Sequence, residues 1–181
     1  MSFAVPTASP PSSPLRKALL ATAQAYIDGF NFPGPDLAGV VARRAPGCVQ
    51  QLLPSTLGVP SQGNDEYVAY SRRIRGIIKG FRLESVGGGG AASGVEASGS
   101  KEGAVVDERA RKVVLSLRSS GTIELAGGLV TREYANEYMV ILQMSEDGTE
   151  IIEITEFLDS QQTLGLLQLV GMATLAGAPP S

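Results

Sequence analysis

Residues 136–160 read NEYMVILQMSEDGTEIIEITEFLDS, with Asp147-Gly148 between two runs rich in β-branched and aromatic residues. Asp-Gly in that setting is a strong hairpin signal, because both residues accept the backbone that a tight turn requires. Two long antiparallel strands are therefore expected. With Asp147 and Gly148 at the tip, Glu146 faces Thr149, Met139 faces Glu156 and Glu137 faces Leu158. Side chains alternate across a sheet, which puts Glu137, Met139 and Ile141 on one face with Ile152, Ile154, Glu156 and Leu158. Tyr138, Val140 and Leu142 share the other face with Ile151, Thr155 and Phe157. Glu137 and Glu156 then become diagonal neighbours, within roughly 5 to 8 Å at Cβ. Under packed helices, desolvation and mutual repulsion would raise at least one of their pKa values toward neutrality and create a proton donor or acceptor; on a solvated face the pair does nothing. A three-residue loop would reverse the parity and separate the set.

Working back from the hairpin, residues 113–117, 122–125 and 132–144 also read as strands. The stretch GGGGAASGVEASGSKEG, 87–103, has too little to bury and is expected to form a flexible loop inside the domain. Upstream the period becomes helical. Ser13-Pro14 supplies a cap and a first-turn proline, followed at steps of three and four by Leu15, Leu19, Ala23, Tyr26 and Phe30. Asp36 to Arg44 reads as a short second helix closed by Ala45-Pro46-Gly47, and Cys48 to Leu53 is too short to classify. A third helix starts at Asn64 and carries an apolar stripe of Tyr67, Tyr70, Ile74, Ile77, Ile78 and Phe81, with Arg72, Arg73, Arg75 and Lys79 on a solvated face. Ser160 is placed to cap a closing helix from Gln161 to about Ala176. Residues 1–12, with Pro6, Pro10 and Pro11, read as a disordered tail, leaving one α+β domain over 13–176.

Composition narrows the chemistry. The 181 residues include no histidine, which excludes Ser-His-Asp and Cys-His nucleophile pairs, His-ligated metals and a histidine base. One cysteine, Cys48, allows no internal disulfide or Cys-based metal cluster, and it reads as a small buried apolar group. Fifteen basic against 18 acidic residues, a net charge of −3, give no field for nucleic acid or anionic lipid. No phosphate-binding loop or dinucleotide fingerprint is present, so nucleotide-dependent chemistry lacks its usual sequence support. No segment approaches the ~20 apolar residues of a membrane span, and the first residues lack a signal-peptide pattern, so a cytoplasmic protein is expected.

The order of helices followed by a long-stranded sheet, together with Asn136–Leu142, Glu146–Ile151 and Ile154–Ser160, resembles the closing hairpin of SnoaL-like proteins in the nuclear transport factor 2-like superfamily. The likeness is greatest to small fungal members associated with secondary metabolism, and the run from Arg44 through Pro54 to Leu57-Gly58 and Asn64–Tyr67 resembles their segment between the second and third helices. The resemblance implies a cone-shaped α+β fold whose sheet curls around the helices and leaves a cofactor-free pocket. Epoxide hydrolases of the superfamily carry a catalytic acid in a last-strand Arg-Asp-Tyr-Phe-Asp phrase. Thr155–Asp159 aligns with that phrase, placing Glu156 at the acid position, and Glu137 aligns with a second acid. Fungal relatives often have His where Gln50 stands, so a histidine-dependent dehydratase mechanism does not carry over.

The expected activity is therefore a cofactor-independent isomerisation or cyclisation of a small hydrophobic polyketide or terpenoid intermediate. Glu156, Glu137 and Asp159 are the candidate catalytic acids, and Tyr26, Phe30, Gln50, Leu57, Tyr67, Tyr70, Ile74 and Met139 the candidate substrate contacts. The alternative is a non-catalytic module that binds a hydrophobic ligand or another protein. A homodimer is expected through an outer sheet face formed by Tyr138, Val140, Leu142, Ile151 and Phe157.

Overall fold

A computed structural model describes residues 13–86, 104–124 and 131–176. The proline-bearing tail 1–12 and the glycine-rich loop 87–103 lie outside the described residues. Ser13 accepts the Arg16 N–H at 2.9 Å and starts α1 (Pro14–Asn31), whose buried stripe includes Leu19, Ala23, Tyr26, Ile27 and Phe30. The expected second helix is a 3₁₀ segment, Pro35–Val41, and β1 (Arg44–Leu53) already begins at Arg44. Ala45 precedes proline, a position biased toward extended backbone. The stretch the sequence left unclassified is therefore part of a strand.

α2 (Asn64–Ile77) stops at Ile77, and Ile78 opens β2 (Ile78–Ser85), whereas the apolar stripe suggested helix as far as Phe81. Gly80 at φ 62° cannot belong to a right-handed helix, and the paired β-branched residues 77 and 78 favour the change to strand. The remaining elements are β3 (Ala104–Asp107), β4 (Lys112–Glu124), β5 (Thr131–Met144), β6 (Ile151–Leu158) and α3 (Ser160–Ala176). The sheet runs β1-β6-β5-β4-β2, with β3 also on β4, and β1 joins β6 in parallel while the other pairs are antiparallel. Its inner face, including Leu115, Leu117, Val140, Leu142 and Ile154, shares one core with α1. Thr22 donates to the Gly148 carbonyl at 2.7 Å and fastens α1 over the β5–β6 turn, and the Asn31 amide bonds both backbone groups of Leu83.

The hairpin keeps the expected pairing only near its tip. Ser145 N–H donates to the Glu150 carbonyl at 2.8 Å, and Met144 faces Ile151. A bulge at Ile152 follows, after which Gln143 faces Glu153, Val140 faces Glu156 and Met139 faces Phe157. One extra residue reverses the parity of everything beyond it. Glu156 turns inward with Val140 and Leu142, and the predicted face uniting Glu137, Met139 and Glu156 does not form. The predicted dimer face is corrected for the same reason. Val140, Leu142 and Ile151 are buried inside, and of that set Phe157 is exposed on the outer face opposite Met139. Among the described residues, no helix is long and apolar enough to cross a membrane.

Candidate functional site

The three helices and the inner sheet face line a pocket that opens to solvent, with about 710 Å³ of empty space when the open solvent at its mouth is included. Tyr26 and Phe30 enter it from α1, Tyr67, Tyr70 and Ile74 from α2, and Phe81 and Leu83 from β2. Phe30 stacks edge-on to Tyr26 and Tyr67, with centroids 5.1 and 6.3 Å away, so one wall is a set of mutually braced rings. Glu156 is the carboxyl among the pocket-lining side chains, carried there by β6 and only 8% exposed.

Burial dominates the acidity of Glu156. Desolvation pushes its pKa up to about 7, against the smaller downward pull of a Gln50 hydrogen bond and the Arg44 charge. Both partners come from β1, which lies beside β6 with Gln50 next to Ile154 and Leu52 next to Glu156. The Gln50 amide nitrogen donates to Glu156 Oε2, and its Oε1 accepts from Arg44 Nη1 at 3.1 Å. Arg44, 7% exposed, lies 4.6 Å from the Tyr67 ring centre. Burial, and after it the negative charge of Glu156, raises Tyr26, Tyr67 and Tyr70 above the ordinary phenol range. These tyrosines stay protonated at neutral pH and can donate to oxygen atoms of a substrate.

A second polar group lies on the sheet wall, and sequence reasoning missed it. Tyr138 shares a hydrogen bond with Ser119 at 2.7 Å and another with Tyr134 at 3.1 Å, while Asn136 donates to Thr163 at 3.2 Å. Tyr134, Asn136, Tyr138 and Thr163 all line the pocket. The signal was available in β5, where hydrogen-bonding residues recur at every second position from Tyr134 to Tyr138 and must share one face.

Of the residues expected at the site, Glu156, Tyr26, Phe30, Tyr67, Tyr70 and Ile74 converge on the pocket. Gln50 is fully buried and touches Glu156 rather than lining the cavity. The remaining four are placed elsewhere. Glu137 is 68% exposed on the outer face, paired with Arg118 at 2.7 Å, and Met139 is 50% exposed beside it. Leu57 sits in the 3₁₀ turn Ser55–Leu57, outside the pocket lining. Exposed Asp159 accepts the N–H groups of Gln161 and Gln162 at 2.8 and 3.3 Å, so it caps α3 where Ser160 was expected to. Given this position, Glu137→Gln is expected to leave turnover within about twofold of wild type and stability within about 0.5 kcal/mol, as for a solvent-screened ion pair. Steady-state rates and a thermal melt check this, and a tenfold loss of turnover would contradict the outer-face placement. Among the described residues, no group of three or more Cys, Asp or Glu could hold a metal ion.

A curved six-stranded sheet folded over helices around a pocket with a buried acid is the nuclear transport factor 2-like architecture. No family model matches the chain. Austinoid biosynthesis clusters protein H of Penicillium brasilianum is 34% identical to it over 151 residues, covering 82% of this chain and 87% of that protein. Among solved structures, the BvnE pinacolase of Penicillium brevicompactum superposes with a TM-score of 0.68 at 28% identity, over 94% of this chain and 98% of that one. A SnoaL-like protein from Jannaschia Sp. CCS1 shares the fold, with a TM-score of 0.61 at 14% identity over 95% and 100% of the two chains. The chain belongs to the family of the fungal austinoid biosynthesis cluster H proteins and has the SnoaL-like, nuclear transport factor 2-like fold.

Proposed function

We propose that the protein is an isomerase or cyclase of a fungal biosynthetic route, acting without a cofactor on a polyketide or terpenoid intermediate, with Glu156 as the group that exchanges protons. The supporting observation is a buried carboxyl, poised to titrate near neutral pH, in a pocket walled largely by aromatic and apolar side chains, with Ser71, Arg75, Asn136 and Thr163 as further polar groups of its lining. A half-titrated acid can protonate a departing hydroxyl, an epoxide oxygen or an alkene, and then recover a proton from the rearranged skeleton. From an epoxide or an alkene the overall change is an isomerisation, whereas a departing hydroxyl leaves as water and the change is a rearrangement with dehydration; in each the enzyme ends as it began. Protonated Tyr26, Tyr67 and Tyr70 hold substrate oxygens, and the aromatic wall shields a cationic intermediate from water. The pinacolase neighbour bears a name with the same requirements, since a pinacol-type shift needs an acid for the leaving hydroxyl and a base for the proton released as the carbonyl forms.

The test is turnover of oxygenated intermediates from the producing fungus as a function of pH. A limb in kcat/KM with an apparent pKa near 7 that disappears in Glu156→Gln is expected. A profile flat from pH 5 to 9, or tight ligand binding with no conversion of any such intermediate, would favour a carrier instead.

A further inference from the structure

Arg44 and Gln50 stand behind Glu156, outside the set of side chains that meet the cavity. An amide has a donor end and an acceptor end, and in isolation either could face a carboxyl. Arg44 removes that choice. A guanidinium only donates, so the Gln50 oxygen must face it, and the amide nitrogen is left to face Glu156 and the Tyr67 hydroxyl. The flipped amide would set its NH₂ group against the guanidinium, two donors opposed in a site where both side chains are more than nine-tenths buried. The backbone that carries Gln50 is pinned as well, its N–H and C=O bonding Gln62 at 2.8 and 2.9 Å, and the side chain itself is fully buried.

We propose that Gln50, held in one orientation by Arg44, is a positioning residue that commits Oε2 of Glu156 as a hydrogen-bond acceptor, so that the exchanged proton is carried on Oε1 and reaches one point of the bound substrate. Proton delivery from a single fixed oxygen is what a stereochemically unique rearrangement requires. The charged and titratable groups around Glu156 are Arg44 from β1, Tyr26 from α1, Tyr67 and Tyr70 from α2 and Tyr138 from β5. The phenols are all held protonated by burial, which leaves the Arg44 charge and the Gln50 dipole as the groups that favour the carboxylate.

The inference rests on Glu156 as the proton-exchanging group, and a titration that needs no substrate separates the two readings. Protein labelled with ¹³C at the glutamate carboxyl carbon is titrated by NMR, the Glu156 signal being the one lost in Glu156→Gln. The wild-type midpoint is expected near 7. Gln50→Met should raise it by about one pH unit, and Arg44→Met should raise it as well. The double variant should shift it by less than the two single shifts added together, because part of the Arg44 effect passes through the amide. An unchanged midpoint in Gln50→Met, or strict additivity in the double variant, overturns the relay. If either methionine variant fails to fold, Gln50→Glu keeps the Arg44 contact while replacing the donor by an acceptor, and the Glu156 midpoint must then rise, or the proposal fails. A relay confirmed by titration alongside full turnover in Glu156→Gln would sink the catalytic reading and leave the relay standing.

Discussion

Glu156→Gln is expected to lower turnover by about 10²- to 10⁴-fold while making the fold more stable at pH 8. Glutamine keeps the shape, and its oxygen can still accept from Gln50, so the pocket and its ligand affinity should persist. What disappears is a proton that can be exchanged near neutral pH. The stability effect follows from the same burial. The folded-state pKa of Glu156, about 7, lies above the 4.5 of an ordinary glutamate, so the unfolded chain ionises first as pH rises. Between those two values the folded state binds more protons, and stability falls with rising pH until the folded pKa is passed. The full deficit, up to roughly 3 kcal/mol, is then present at pH 8 and absent below about pH 4.5. The variant should therefore melt higher than wild type at pH 8 and close to it at pH 4, with a flatter dependence between. Calorimetry at the two pH values reads this directly. A lower melting temperature at both would mark Glu156 as a structural hydrogen-bonding residue instead.

The sequence put Glu156 and Glu137 forward together as candidate acids, and the structure brings Glu156 to the pocket but not Glu137, for a reason that lies in one residue. Asp147-Gly148 was enough to find the hairpin, and pairing is as expected where Ser145 bonds Glu150. Ile152, β-branched and apolar, looks like any ladder residue, yet it is the bulge that turns Glu156 inward and leaves Glu137 outside. Bulges depend on how a strand must bend over its core, and here that core includes α1 anchored at Gly148. The aromatic wall was legible because Tyr26, Phe30, Tyr67, Tyr70 and Ile74 recur at helical spacing, a local property. The link from Arg44 through Gln50 to Glu156 was not, since it depends on the parallel pairing of strands about a hundred residues apart, which no local period encodes. Composition narrowed one more point: with no histidine in the chain, any proton exchange near neutral pH falls to another side chain, and Glu156 is the pocket carboxyl whose burial raises its pKa to about 7.

Gly29→Ala is expected to destabilise the protein by roughly 3 kcal/mol or more, because a methyl at that position has nowhere to go. Its carbon would sit 2.2 Å from the Gly39 carbonyl oxygen and 3.0 Å from the carbonyl carbon, both of them backbone atoms. Nor can Gly39 retreat easily. A Cβ there would lie 2.8 Å from Pro33 Cα, and the Gly39 N–H donates to the Pro33 carbonyl at 2.7 Å. Two glycines thus let α1 and the Pro35–Val41 segment meet backbone to backbone, and separating them would displace Phe30, the next residue of α1 and part of the aromatic wall. For a domain of this size the loss corresponds to a fall of about 6–12 °C in melting temperature. Gly76, near the end of α2, is the control. Nothing lies within 4 Å of a Cβ built there, so Gly76→Ala should be neutral or stabilising by up to about 1 kcal/mol through helix propensity alone. Equal melting temperatures for the two alanine variants would show that the backbone contact yields freely. In Gly29→Ala, activity should fall together with stability, because the ring wall moves with the helix. That coupling has the opposite sign to the one expected of Glu156→Gln, so the pair of substitutions separates the scaffold that shapes the pocket from the acid that works in it.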